Sequence, residues 1–499
     1  MRLFRSCVCS FAISFSFWAP AARSENTPDP NRGLYAIWVR PGVAESLPFL
    51  KGGQVKLQWA QVERTEGHYE FGDLDRQLEE VAHLGRVTTV QLNANQIPAF
   101  LFDKVPSTKA MLNQEQDRRG TLQYWHPAYV KAYTNLIAQF AKAVKASNYR
   151  SHVIGVRLNY NALGTEGLVI PPEDRDPGKW TAPSGATVGP AWTDQVASAY
   201  LRTVLDEFIR DFNPEIRVFM RAGIFNFPSP DPESLRLAGA GDHNVGFFTT
   251  GSEIEPRTPS MQERYQKLFL PYCRSGKAVC YAESMADAAG VHGRLKDPRW
   301  CPPDQYNYWR LLADLNLGFS MIGIYGSDLE QAGTPEYKAA FEFAARYVGY
   351  QASPSIAPGA WVALRSDDLF KDDYTFLMRR LPGAELKAEK KAGPDDQRFG
   401  AWAMTLAKGD EVKFGLDPVF ARSLAGKKAI LRVTYLDRNE GTFTVRASGR
   451  EFHGKLGASG RWKTAEFEID KAAFTADGGA QIALRGDADV TLHMVEVAR

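Results

Sequence analysis

The chain has 499 residues, more than one ordinary domain holds, so we expect two domains. Apolar residues make up 44% of the sequence and charged residues 24%, which is typical of a globular protein and excludes a largely disordered chain. The formal net charge of +2 is too small to favour nucleic acid or an anionic membrane surface as the partner.

The first 24 residues have the pattern of a secretory signal peptide. Arg2 and Arg5 make a basic start, an apolar stretch of about a dozen residues follows, and small residues surround Ala21. That stretch is too short to span a bilayer stably, and no later apolar run reaches about 18 residues. We therefore predict removal of residues 1–24 and a secreted or periplasmic mature protein without a membrane partner.

Residues 34 to 325 alternate between short apolar, β-branched runs and amphipathic helical patterns. The runs cover residues 34–40, 54–60, 87–93, 153–159, 216–222, 244–250, 278–284 and 319–326. The helical patterns cover residues 73–85, 126–147, 198–212 and 306–318. Eight βα units predict a (β/α)8 TIM barrel over residues 30–350. A doubly wound open sheet is the alternative, but residues 39–45 are not the glycine-rich turn that it needs.

The last part of the chain has a different periodicity. Residues 351–360 are rich in Pro and Ser and predict a linker. Beyond them apolar residues alternate with polar ones, and strands are predicted at residues 428–437, 441–448, 462–470, 479–486 and 489–497. We expect a C-terminal antiparallel β-sandwich over residues 360–499.

Three cysteines follow the predicted signal peptide, namely Cys273, Cys280 and Cys301. An oxidising compartment predicts one disulfide among them and one remaining thiol, with the pairing left open. A zinc site is the alternative, but it needs at least one further ligand, and no His stands at the usual spacing. We predict no metal and no other cofactor.

Several carboxylates follow predicted barrel strands, at the end of the barrel where active sites lie. Glu166 follows the fourth strand, Glu253 and Glu255 follow the sixth, Glu283 ends the seventh, and Asp328 follows the eighth. A charge inside the apolar run that ends at Glu283 is costly unless it faces the open mouth, or unless it pairs with Arg157 or Arg221. Glu166 stands between Gly164 and Gly167, which allow a sharp turn; the alternative is an exposed loop glutamate.

One segment carries a more specific signal. It contains Trp59, Glu63, Gly67, Tyr69, Phe71, Leu74 and Asp75. This spacing resembles the W…E…G-x-Y-x-F…L-D segment after strand two in the large retaining barrel clan of glycoside hydrolases, which includes β-galactosidases and agarases. The resemblance implies an acid/base glutamate after strand four and a nucleophilic glutamate at the end of strand seven. Glu166 and Glu283 occupy those places, although the clan's asparagine directly before the acid/base is displaced here to Asn159 and Asn161.

The resemblance also implies roles for further residues. Glu283 attacks the sugar and Glu166 transfers the proton. Sugar contacts are expected from Asn159 or Asn161, nucleophile orientation or ring stacking from Tyr281 and Tyr325, stacking from Trp38, Trp125 and Trp300, and contacts to acidic or sulfated groups from Arg40, Arg157 and Arg221. The accessory sandwich either binds glycan or braces the barrel.

The prediction is thus a secreted glycoside hydrolase whose partner is a polysaccharide or oligosaccharide, with a β-linked galactan, sulfated forms included, as the candidate substrate. Its oligomeric state stays open. One alternative is a non-catalytic glycan-binding barrel. Another is an inverting enzyme that uses Glu283 with Asp328 or Glu253, in which the carboxyls stand roughly 6.5–9.5 Å apart rather than 5–5.5 Å. A metal-dependent hydrolase is disfavoured because His126, His152, His243 and His292 form no metal-like pair.

Overall fold

The computed structural model describes residues 27–37, 47–112, 119–160, 170–221, 236–237, 243–250, 265–283, 288, 301–365 and 372–499. The predicted signal peptide, residues 1–24, lies outside this set. Within the described residues, none of the helices combines the length and the apolar character that a bilayer crossing requires.

Eight parallel strands close into a barrel, so the predicted barrel is confirmed and the open doubly wound sheet is wrong. The strands are β1 (Gly33–Ile37), β2 (Leu50–Gln58), β3 (Val87–Asn93), β4 (Val153–Arg157), β5 (Val218–Arg221), β6 (Val245–Thr250), β7 (Val279–Glu283) and β8 (Met321–Tyr325). Each strand pairs with its chain neighbours, and β8 closes the ring against β1. Only the second strand departs clearly from its predicted bounds: it begins four residues earlier, at Leu50, and it ends at Gln58 because Trp59 already begins a helix.

The helices follow the strands as the predicted βα alternation requires. They are α1 (Trp59–Val62), α2 (Gly72–His83), α3 (Pro127–Ala146), α4 (Asp194–Phe212), a π-helix (Tyr265–Arg274), α5 (Pro303–Leu317), α6 (Gly326–Leu329) and α7 (Pro335–Tyr347). Side chains cap the two longest helices. His126 accepts the Ala128 N–H before α3, and Thr193 accepts the Val196 N–H before α4. Such caps satisfy donors that a helix leaves unpaired at its start.

Shorter elements complete the barrel half. A two-stranded ribbon joins Ser107–Thr108 to Thr121–Leu122, and single 3-10 turns cover Ala99–Asp103, Arg150–His152, Pro172–Asp174 and Pro177–Lys179. A disulfide joins Cys273, near the end of the π-helix, to Cys280 in β7, and Cys301 is a buried free thiol. The disulfide therefore ties the base of β7 to the helix before it.

The barrel interior is apolar on one side and polar on the other. Tyr35, Phe219, Phe248, Tyr281 and Met321 form a fully buried cluster inside the strands. Gly155 of β4 makes room for it, because a Cβ there would stand 2.5 Å from the Phe219 ring. Polar side chains occupy inward positions near the C-terminal ends of β2, β3 and β4 instead, whereas barrel interiors are usually filled by branched apolar residues.

The remaining strands form two antiparallel sheets that confirm the predicted sandwich. The first has the order β10 (Tyr374–Phe376), β9 (Gly359–Ala363), β20 (Val490–Ala498), β13 (Trp402–Leu406) and β12 (Lys387–Lys390), with β15 (Ala429–Asp437) between β20 and β18 (Arg461–Ile469). The second has the order β11 (Met378–Arg380), β14 (Glu411–Leu416), β19 (Ile482–Gly486), β16 (Glu440–Ala447) and β17 (Arg450–Gly457). A short helix, α8 (Pro418–Leu424), follows β14.

One continuous hydrophobic core joins the barrel to the sandwich. Helix α5 lies at this junction and is buried around most of its circumference. Its Trp309 packs 5.0 Å from the ring of Trp402 and 5.0 Å from that of His493 in the sandwich, and its Tyr308 Oη lies 2.8 Å from His493 Nε2. The sandwich therefore braces the barrel through α5.

Candidate active site

The motif after the second strand forms a hydrogen-bonded turn around one buried glutamate. Glu63 accepts the Trp59 indole N–H at 2.7 Å through Oε2 and the Gly67 N–H at 2.9 Å through Oε1. Gly67 has φ of +76°, a conformation that favours glycine. Burial and the Glu63 charge raise the pKa of Tyr69 to about 12. The spacing of the motif therefore reflects a turn that fixes the passage from β2 to α2.

Glu63→Ala should lower the free energy of unfolding by about 3 kcal/mol, because it leaves the buried Trp59 N–H without its charged acceptor. Denaturant unfolding of the variant and the wild type measures this difference. The control is Glu66→Ala, which removes an exposed ion pair with Lys104 and should cost less than about 0.5 kcal/mol. Equal losses in the two variants would contradict the role given to Glu63.

A buried ion pair crosses the barrel interior at the end of β7. Arg157 Nη2 donates to Glu283 Oε2 at 2.5 Å, and the two residues are 2% and 4% exposed. The Arg157 guanidinium lies 3.4 Å from the centre of the Phe248 ring. Burial lowers the pKa of Arg157, and the Glu283 charge opposes that shift. The pairing that sequence offered as the alternative to an open carboxylate is thus present, with Arg157 as the partner.

Polar residues that sequence reasoning missed lie on β2 and β3, and β3 pairs with the strand that carries Arg157. Lys56 of β2 is half-buried, and the charges of Arg157 and Glu283 both act on it. On β3, Gln91 accepts from Gln54 Nε2 at 2.7 Å and donates to Asn93 Oδ1 at 2.6 Å. The sequence contains a pattern that predicts this polar face. Polar residues occupy every second position of β2 and β3, which places them on one face of each strand.

Tyr281 lies beside the ion pair, with its ring centre 5.4 Å from the Arg157 guanidinium, and Asn159 follows Arg157 by two residues. The Asn159 Nδ2 donates to the Leu92 carbonyl at 2.7 Å, which ties the end of β4 to β3. Tyr281 precedes Glu283 by two residues on the same inward face; burial raises its pKa, and it is 0% exposed among Tyr35, Phe219 and Phe248. A fully enclosed ring has no face for stacking on a sugar, and the buried Tyr281 hydroxyl has no hydrogen-bond partner among the described residues, so orientation of the nucleophile by Tyr281 stays a prediction. Contact of Asn159 with a sugar stays a prediction.

Three further predicted site residues, Trp125, Tyr325 and Asp328, lie in the described part of the chain. Trp125 is 6% exposed and packs 5.1 Å from Trp180 and 4.7 Å from Trp192, which gives it a structural role in the loop wall. Tyr325 ends β8 and is half-buried. Asp328 is buried, and both its carboxylate oxygens accept the Ala288 N–H, which ties the loop after β7 to the end of β8. Stacking by Trp125 and Tyr325 stays a prediction.

The remaining candidates lie outside the described residues. These are Glu166, Asn161, Trp38, Trp300, Arg40, Glu253, Glu255 and His292. For Arg221 only the backbone, in β5, is described. The separation of Glu166 and Glu283 therefore stays a prediction.

Among the described residues there is no group of three or more His, Cys, Asp or Glu side chains that could hold a metal ion. The chemistry that this arrangement supports is that of a carboxylate paired with a buried guanidinium at the C-terminal end of a barrel.

No family model and no curated protein matches this chain. Among solved structures, it is similar to a glycoside hydrolase family 30 subfamily 8 xylanase from Clostridium acetobutylicum, with 12% identity, a TM-score of 0.37 and coverage of 95% of this chain and 97% of that one. It is also similar to a β-galactosidase from Rahnella sp. R3, with 13% identity, a TM-score of 0.40 and coverage of 66% and 58%. It is also similar to the C-terminal CBM6 of a marine laminarinase from Zobellia galactanivorans, with 10% identity, a TM-score of 0.19 and coverage of 24% of this chain and 99% of that one. Similarities at these TM-scores assign no activity, so the function rests on the residues of this chain.

Proposed function

We propose that this protein is a glycoside hydrolase that cleaves a polysaccharide by a retaining mechanism, with Glu283 as the nucleophile and Glu166 as the acid/base. One observation carries the proposal. A carboxylate, Glu283, ends β7 inside a closed barrel and is held there by a buried guanidinium with a lysine close by. Catalytic residues of barrel enzymes stand at these strand ends.

The energetic cost of this arrangement supports a functional role. Removing two charges from water costs several kcal/mol each, and a buried ion pair is often no more stable than apolar residues of the same size. The pair packs against the aromatic cluster of the same interior, with the Phe248 ring centre 3.4 Å from the Arg157 guanidinium. A charged cluster at the end of the barrel that carries active sites is therefore better explained by chemistry than by stability.

The proposed reaction has two steps. A Glu283 oxygen forms a bond to the anomeric carbon while the bond to the glycosidic oxygen breaks, and Glu166 donates its proton to that leaving oxygen. Glu166 then takes a proton from water, the water oxygen attacks the anomeric carbon, and Glu283 leaves as a carboxylate. The sum is hydrolysis with retained anomeric configuration. Arg157 supports the second step, because its charge stabilises the carboxylate that re-forms when Glu283 leaves.

The location and the substrate are parts of the same proposal. The Cys273–Cys280 disulfide and the signal-peptide pattern support export to an oxidising compartment. The motif of residues 59–75 favours β-linked galactans, sulfated forms included, as substrates. A β-sandwich packed on the barrel fits an accessory role beside such an enzyme.

Incubation with agarose, carrageenan, β-1,4-galactan, xylan and mannan tests the proposal, with product sizing and NMR of the newly formed anomeric centre. We expect cleavage of at least one galactan with retention, and a rate lower by roughly 10³-fold or more in Glu166→Gln, because the leaving oxygen then receives no proton. Inverted products would favour the inverting alternative.

A second function is favoured by the burial of Glu283 in its ion pair, namely glycan binding without cleavage. Binding of a polysaccharide from the same panel, with no shorter products after prolonged incubation, would support this function and contradict the hydrolase.

A further inference from the structure

Lys56 lies on the inward face of β2, within the polar half of the barrel. Its neighbours Val55 and Leu57 are buried in the core around the barrel, and adjacent side chains of a strand point to opposite faces. Lys56 pairs in register with Gln91 of β3. Val90 pairs with Val156 of β4, so Gln91 and Arg157 follow one residue further along their strands. Lys56, Gln91 and Arg157 therefore stand on three consecutive strands near one level of the barrel.

Two charged groups of the proposed active site, Arg157 of β4 and Glu283 of β7, act electrostatically on Lys56. Tyr281 and Tyr325 are the other titratable groups that act on Arg157. From outside the barrel, α2 contributes the neutral Gln77, whose Nε2 donates to the Lys56 carbonyl at 3.2 Å.

We propose that Lys56 is a positioning residue, whose ammonium group acts with the Arg157 guanidinium to hold the Glu283 carboxylate for attack on the sugar. The inference rests on the proposed glycosidase function. The two cations differ in kind, because Arg157 stays protonated at every working pH, whereas an ammonium group titrates more readily when buried. Lys56 thereby makes the site sensitive to mild alkali.

The direction of that sensitivity follows from the surroundings of Lys56. Burial, and then the Arg157 charge, lower the pKa of Lys56 to about 8, while the Glu283 charge opposes the shift. Below this pH both cations are present, and above it the ammonium charge is lost. The rate should therefore fall on the alkaline side, beginning near pH 8.

A measurement that needs no activity tests the charge coupling. Lysines of the full chain are ¹³C-methylated, the Lys56 resonance is assigned by its loss in Lys56→Arg, and its pKa is titrated by NMR. We expect about 8 in the wild type, a value roughly one unit lower in Glu283→Gln, and a higher value in Arg157→Met. A Lys56 pKa near the ordinary value, or one unmoved by Glu283→Gln, would overturn the inference even if Arg157→Met does not fold.

Kinetics then separate positioning from a merely structural role, using the polysaccharide of the panel that the wild type cleaves fastest. In Lys56→Arg the alkaline fall of kcat/KM should move up by about two pH units or more, because guanidinium stays charged. Lys56→Met should lower kcat by roughly tenfold at pH 7 and lack the fall near pH 8.

The outcomes distinguish this inference from the proposed function. A lower melting temperature in both variants, with the wild-type pH profile unchanged, would assign Lys56 a structural role and overturn the inference alone. If Glu283→Gln retains the wild-type rate, Glu283 is not the nucleophile and the role of Lys56 fails with it, whereas no cleavage by the wild type would contradict the glycosidase proposal itself.

Discussion

Glu283→Gln should lower the rate of polysaccharide hydrolysis by roughly 10³-fold or more, because an amide of the same size cannot attack the anomeric carbon. The variant should also lose about 3 kcal/mol of stability, because the Arg157 charge remains buried without its counter-charge. Initial rates at saturating polysaccharide measure the first effect, and denaturant unfolding measures the second. The rate must be expressed per folded molecule, as judged by circular dichroism.

Glu496→Gln is the matched control for this substitution. Glu496 is also a buried glutamate with an arginine partner, Arg432, at 3.5 Å, but it lies in β20 of the sandwich. The control should lose stability and keep the wild-type rate. A wild-type rate in Glu283→Gln would show that the Arg157–Glu283 pair is structural, and would remove the nucleophile from the proposed mechanism.

Acid should unfold the protein through His493, at the junction of sandwich and barrel. His493 is 0% exposed, and burial, followed by the Arg398 charge, lowers its pKa to about 3. The unfolded chain protonates this ring near pH 6.5, so between about pH 6.5 and 3 it binds one more proton than the folded protein. The contribution of His493 to the free energy of unfolding is therefore fully present above pH 6.5 and is lost as the pH decreases. The loss is roughly 2 kcal/mol between pH 6.5 and 5 and roughly 4 kcal/mol in all.

His493→Gln isolates this contribution, because an amide keeps a polar partner for Tyr308 and does not titrate. Denaturant unfolding at pH 7 and pH 5 should show a smaller pH dependence in the variant, even though lost ring packing lowers its stability at both. His453→Gln, at a ring whose side chain is 67% exposed, should keep the wild-type dependence. An unchanged pH dependence in His493→Gln would contradict the assignment.

The sequence predicted the architecture well where a single repeating pattern of apolar residues determined it, as in the barrel strands. Eight apolar, β-branched runs became eight barrel strands, because the strand faces that pack against the surrounding helices are buried and require such residues. The prediction extended the second strand through Trp59, but the Trp59–Glu63 hydrogen bond closes a helical turn there. In the sandwich, strands β9 to β14 and β17 were not predicted; β12 and β17, for example, carry charge and glycine at exposed positions rather than a clear apolar alternation.

The site could be predicted only in part. Position along a strand sufficed to select Glu283, and composition sufficed to select Asn159 and Arg157 as polar residues at a strand end. Lys56 was overlooked because one lysine in a strand is ordinarily a solvent-facing residue, and only barrel closure turns that face inward. The packing of Trp125 against Trp180 and Trp192 could not be predicted, because these residues are far apart in the sequence.

By itself, the sequence determined the strands, the turn at Glu63 and the switch to a second, antiparallel half, because each depends on residues close together in the chain. Only the tertiary structure decided which charged side chains pair with one another. Arg157 and Glu283 are 126 residues apart, and their contact exists because the closed barrel points both side chains into one interior of low polarity. Packing of α5 against β20 likewise decided that His493 is held neutral, since burial is a property of the assembled layers and not of the local sequence.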